Sequence, residues 1–136
     1  MISSAEEFAR LRRSSSHAEQ MRASEEEASL TVWLEILARF PELREWVAHN
    51  KTVPMEVLEK LAVDADPKVR CVVASKRKLT PALRSQLSQD ADSSVRARVV
   101  YNAKCEIDTL RVLANDSEPF VKEAAIKKLA GRASAA

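Results

Sequence analysis

Apolar positions along this chain return at an interval of 26 residues. Leu43, Val69, Val95 and Val121 lie one interval apart, and each is followed by a cation: Arg44, Arg70, Arg96 and Lys122. Leu61, Leu87 and Leu113 keep the same step, as do the acids Asp64, Asp90 and Asp116. Within the unit 69–94, Val69, Val72 and Val73 share one side of a helix predicted over 67–75. Leu83 and Leu87, four apart, line a second helix predicted over 80–89. Thr80 is its expected N-cap, followed by Pro81, and Pro67 and Pro119 suit first helical turns because a missing N–H costs nothing there. Asp90-Ala91-Asp92 closes the unit and supplies a cap for the next helix.

Helices of two or three turns are marginal alone in water. Stacking must hold them, each buried Val or Leu contributing roughly 1.5–3 kcal/mol. A repeat this long is the mark of a helical solenoid, whose units bury their apolar faces only against neighbours.

Upstream, LEILA at 34–38 echoes LEKLA at 58–62 with the offset shortened around Phe40-Pro41, so residues 30–38 read as one more helix of the second type. Trp33 and Trp46 fall in or beside this irregular first unit and read as structural. Ser4 with Glu7 forms an expected capping box backed by Phe8 and Leu11, and Arg13-Ser14-Ser15-Ser16 reads as a break. Residues 16–28 are polar, with Met21 the only large apolar side chain. The expected organisation is therefore a polar helical or partly mobile leader at 1–28, a repeat region at 29–130 and a tail at 131–136.

Composition narrows the class. Of 136 residues 46% are apolar, 4% aromatic and one is glycine, which disfavours a sheet-rich or phosphate-cradling fold. The net charge of +2 does not mark the whole chain as a nucleic-acid binder. Residues 1–42 carry a net −3, however, and 43–136 a net +5. The two cysteines, Cys71 and Cys105, have no metal or redox spacing and fit a reduced, cytoplasmic setting. The start, MISSAEEFARLRR, does not read as a signal peptide, and no apolar run is long enough to span a membrane.

In VRCVVASKRKLTPALRSQLSQDAD and WVAHNKTVPMEVLEKLAVDAD the units resemble the leucine-rich repeat variant, a short two-helix relative of the HEAT repeats. The shared pattern is VR-x-x-VA-x-N, a Pro-containing turn, then x-L-x-x-LA-x-D-x-D. The third unit departs from it at Val100, Glu106 and Thr109, and the likeness covers about residues 30–130. It implies an all-α fold, a right-handed solenoid of two-helix repeats. It further implies a ladder in which Arg44, Arg70 and Arg96 meet Asp64, Asp90 and Asp116 of neighbouring units. An N-terminal iron–sulfur cysteine cluster carried by some relatives is not expected, since no cysteine precedes Cys71. No other cofactor is expected either. DNA glycosylases built on HEAT-like repeats exist, but this chain has few of the rings they use around a base.

The chemistry-bearing pattern is charge at the turns. Those within units carry His49, Lys51, Lys76, Arg77, Lys78, Lys104, Lys127 and Lys128, whereas those between units are acidic. Stacking would align the former as a basic edge, a receptor for an acidic protein segment or, as the alternative, a phosphate backbone. Arg84, Arg98 and Arg111 are expected to face outward as further contacts. Asn50 and Asn102 share one register position, as caps or turn anchors, and Lys76 replaces them in the unit between. His17 and His49 lack a second ligand at metal spacing, and neither cysteine has a catalytic partner in sequence. The expectation is a non-enzymatic, protein-binding scaffold.

Overall fold

A computed structural model of the chain describes residues 1–135. Among these the secondary structure is ten α-helices and one short 3-10 helix, with no strand beyond a single bridge between Ile2 and Ala28. The chain divides into two compact units, one spanning Met1–Asp64 and the other running from Ala65 onward.

The first unit contains α1 (Ala5–Arg13), α2 (His17–Glu25), α3 (Leu30–Arg39), a 3-10 turn at Pro41–Leu43, α4 (Arg44–His49) and α5 (Met55–Leu61). Serines start the first three helices: the hydroxyls of Ser4, Ser16 and Ser29 accept from the backbone N–H of Glu7, Glu19 and Val32. The expected capping box is shifted by one residue, because the Glu7 carboxylate returns to the N–H of Ser3 at 2.9 Å. Helix α4 packs beside α2 and α5 beside α3, while α1 lies against α2 and α3. The first 28 residues are thus not a separate leader. Ile2, Ala5, Phe8, Leu11 and Ala23 are buried, and the Phe8 ring meets Trp33 edge-on at 5.7 Å. The sequence pattern hid this because α2 contributes only Ala23 to the core while Met21 faces solvent.

The second unit contains α6 (Pro67–Ala74), α7 (Pro81–Ser88), α8 (Ser93–Tyr101), α9 (Ile107–Leu113) and α10 (Pro119–Ala135). Thr80 and Asp92 cap their helices as the sequence predicts, and Asp66, one interval before Asp92, caps α6 in the same way. Helix α8 sits between α6 and α10, and α9 lies beside α7 on the other layer. Val73, Val99, Leu87 and Leu113 fill the space between layers and are at most 2% exposed. The expected tail from 131 is instead the continuation of α10, and Lys127 and Lys128 lie inside that helix and not at a turn.

Two polar devices recur at the repeat interval. The first is an arginine–aspartate clamp. Arg70 grips Asp90 through two bonds, 2.9 and 3.1 Å, and Arg96 grips Asp116 through two, 2.8 and 3.0 Å. In the first unit Arg44 meets Asp64 through one, at 3.2 Å. Each arginine therefore holds the aspartate that closes its own repeat, 20 residues on, and not that of a neighbour as the family likeness implied. The neighbour supplies main-chain carbonyls instead: Arg96 also donates to Asp90 O at 2.8 Å. A guanidinium has donors enough to do both.

The second device is a clamp on helix ends. Asn102 donates to the carbonyls of Ala74 and Lys76, 28 and 26 residues earlier, at 2.8 and 2.9 Å, and accepts from Lys104 N–H. Lys128, one interval later, donates to Val100 O and Asn102 O at 2.5 and 2.7 Å. Asn50 makes the corresponding bonds in the first unit, to Ala23 O and Glu26 O at 2.8 and 3.1 Å. The C-terminal carbonyls of a helix need such donors. The Asn50 bonds thus tie the start of the turn after α4 to the C-terminal end of α2.

Gly131 lies within α10, and a Cβ built on it would meet nothing within 4 Å. Its backbone has no positive φ. Gly131→Ala is therefore expected to stabilise the protein, by about 0.5–1 kcal/mol, through helix propensity alone. Thermal unfolding followed by circular dichroism measures it.

Candidate binding groove

The exposed side of a first helix is set by its 3.6-residue period. In α8, Val95, Val99 and Val100 turn inward, so Arg98 and Tyr101 point out, three apart and on one face. Tyr101 is the last residue of α8, and it stands 69% exposed. Two hollows flank it. One, about 600 Å³, is lined by Ser75, Arg77, Arg98, Tyr101, Asn102 and Ala103. The other, about 500 Å³, is lined by Tyr101, Ala124, Lys127, Lys128, Gly131 and Arg132. The two lie where α6 and α8 end, the second against α10, and Tyr101 lines both, so they are the halves of one grooved face that share the phenol.

The halves differ in chemistry. Arg77 and Arg98 face the first with no carboxylate of the described residues within salt-bridge range. Arg98 reaches only the Ser75 hydroxyl, at 3.4 Å. In the second, Lys128 is committed to its two carbonyls and Arg132 donates to Cys105 O at 2.5 Å. Their stems, with Ala124 and Gly131, leave that half mostly apolar, with Lys127 as its remaining cation. Burial lowers Lys128 below the usual lysine range, and Arg132 beside it acts in the same direction.

The expected basic edge is thus redistributed. Lys51 pairs with Glu25 at 2.8 Å. His49 lies against Trp46, ring centroids 5.4 Å apart, and the Arg12 guanidinium lies over the same indole, 3.6 Å from its centroid. Burial, with Lys78 next to it, brings Lys76 down to about 8, so its charge fades in mildly alkaline solution. Lys78 is likewise lowered by burial. Lys104 is exposed in the turn after α8. Of the three arginines expected to face outward, Arg98 and Arg111 do. Arg84 does not. It is buried in the second unit, bonded to Glu106 at 2.7 Å and to Leu79 O at 2.6 Å, because its side of α7 turns toward α9.

Comparison with known proteins returned no matching family model, no matching curated protein and no matching solved structure. The reading of the groove therefore rests on its own geometry.

Charge supports that geometry. The second unit carries 14 basic and 8 acidic side chains, a net +6, against 8 and 12 in the first, a net −4. Among the described residues no group of three or more His, Cys, Asp or Glu side chains is placed to hold a metal ion. Burial pushes the thiols of Cys71 and Cys105 up, which keeps them protonated at neutral pH. No helix of the described residues is long and apolar enough to cross a membrane.

Tyr101 is not among the contacts expected from the sequence, because a single ring at one register position gives no periodic signal. Another signal was available in the register. Trp46, Val72, Arg98 and Ala124 form one column at the repeat interval, and His49, Ser75, Tyr101 and Lys127 form another. Core columns of a repeat hold like residues, whereas these two hold unlike ones on the solvent side.

Proposed function

We propose that this chain is a non-enzymatic protein-binding module, a solenoid of HEAT-like two-helix repeats akin to the leucine-rich repeat variant, acting as a scaffold or adaptor. The observation that carries the binding assignment is Tyr101, an exposed ring at the centre of a groove flanked by arginines that the chain's own acids leave unneutralised. Tyrosine and arginine are the residues that dominate the energy of protein interfaces, because each brings large rigid area with a polar tip. The repeated clamps support the solenoid reading: the arginine–aspartate pair and the helix-end clamp each recur at the 26-residue step within the second unit, and each has one counterpart in the first. The positive charge of the second unit suits a partner segment that is acidic.

Capture from native lysate tests this reading. The wild-type protein should retain a stoichiometric protein partner. Arg98→Glu combined with Tyr101→Ala should lose it, while Arg111→Glu, on exposed α9, should keep it. A partner indifferent to the groove substitutions would overturn the assignment. A net +6 on one unit favours nucleic acid as the second reading. That reading predicts material sensitive to nuclease and released steeply by salt.

A further inference from the structure

We propose that the groove recognises an extended acidic peptide carrying an aromatic side chain among its carboxylates, with the carboxylates on Arg77 and Arg98 and the ring on Tyr101 over Gly131. The inference rests on the protein-binding reading above and specifies its ligand.

Three observations lead to it. First, one groove offers two adjoining hollows of unlike chemistry, joined at a single exposed ring. Guanidiniums present planar forks that match carboxylates, so the first half selects acids. The second half has its nearest cations turned to main-chain carbonyls, so it offers aliphatic stems, a phenol face and the α10 backbone. Second, the one glycine of the chain lines that second half. Neither its φ nor any neighbouring atom calls for glycine, and glycine is disfavoured in a helix relative to alanine. What the missing side chain does provide is close access to the helix surface beside Tyr101. A flat ring placed there would meet the phenol in stacked or edge-on contact.

Third, the cation supply is small. Arg70, Arg84 and Arg96 are paired with acids inside the unit, and Lys128 and Arg132 hold carbonyls. Arg77, Arg98 and Lys127 remain at the groove, a set suited to two or three carboxylates. A duplex binder that made about 6–10 phosphate contacts would need more open cations than these. A single stranded nucleic acid would stack bases in series, and the groove has one ring for them. A peptide needs no more than one anchor and its flanking charges.

Fluorescence anisotropy with three labelled probes tests the proposal on the full chain. These are an acidic peptide of ten aspartates and glutamates with one central tryptophan, the same peptide with alanine at the centre, and a single-stranded oligonucleotide of equal length. The tryptophan peptide should bind wild type about tenfold tighter than the alanine peptide, the scale of one ring packed on another with its buried area. Gly131→Leu, which fills the hollow, should cut that preference to about twofold and leave the alanine peptide unchanged. Arg98→Gln should weaken both peptides by a similar factor. Circular dichroism verifies that each variant is folded, and Gly131→Ala serves as a milder second variant.

Equal affinity for the two peptides, or a preference that survives Gly131→Leu, overturns the inference. So does tighter binding of the oligonucleotide, or no binding of either peptide. The broader reading is judged separately by the lysate capture: a partner lost with the groove substitutions keeps it standing whatever the peptides do.

Discussion

Trp33→Ala should lower the stability of the protein by about 3–5 kcal/mol, the cost of removing a large ring from a packed core. Trp33 is fully buried, and Phe8 of α1, also fully buried, meets it at 77° between ring planes. Leu11 and Ile36 are buried with them. A whole domain is stable by only about 5–15 kcal/mol, so this single truncation removes a large share. Phe8→Ala should cost a similar amount, and the double substitution less than the sum of the two, because each ring is the other's contact. Urea unfolding followed by far-ultraviolet circular dichroism measures all three. The result separates two views of the N-terminal region. If residues 1–28 were a solvated leader, Phe8→Ala would change stability by less than about 0.5 kcal/mol, as surface substitutions do. A loss that small would overturn the packing described for α1. Trp46→Ala should be milder than either, since Trp46 is 37% exposed and held chiefly by the Arg12 stack.

Asp116→Ala should cost about 3 kcal/mol, since it strands a half-buried guanidinium. Arg96 would lose both of its carboxylate bonds, and Glu118 N–H would lose the 2.9 Å bond that shapes the turn before α10. Replacing both partners with leucine should cost less than Asp116→Ala, because no charge is then left without its counter-ion. The pair also sets an acid limit. The Arg96 guanidinium holds the Asp116 carboxyl below the usual aspartate range. A depressed carboxyl contributes stability that is complete above the unfolded value, near pH 4, and is lost as pH falls through the folded value. Urea midpoints from pH 7 downward should therefore show a constant gap between wild type and Asp116→Ala until about pH 4, then a narrowing gap in stronger acid. A gap that stayed constant to low pH would show that the ion pair is not what the substitution removes.

How much of this was legible in advance varies with the kind of interaction. The caps at Thr80 and Asp92 were readable because an N-cap is local: residue type and a spacing of two or three positions are enough. The Val and Leu columns were readable because a 26-residue step brings like residues to like places. Arg84 was misread for the converse reason. An arginine directly after Leu83 and three positions before Leu87 looks solvent-facing on a helix considered alone, and only α9 with Glu106 turns that face into an interior. Likewise, α2 shows one small core residue, Ala23, so nothing in its sequence announced that Asn50 would clamp its end.

From its sequence alone this chain is committed to short capped helices in an all-α arrangement, with a repeated arginine, a repeated aspartate and an uneven distribution of charge. Those features depend on neighbours in the chain, or on a period that can be counted along it. Which aspartate each arginine takes, which lysines are spent on carbonyls and which cations stay open beside Tyr101 were decided by tertiary structure. Long, flexible side chains reach several partners in principle, and only the packing of α6, α8 and α10 sets which carbonyl or carboxylate lies within 3 Å of each.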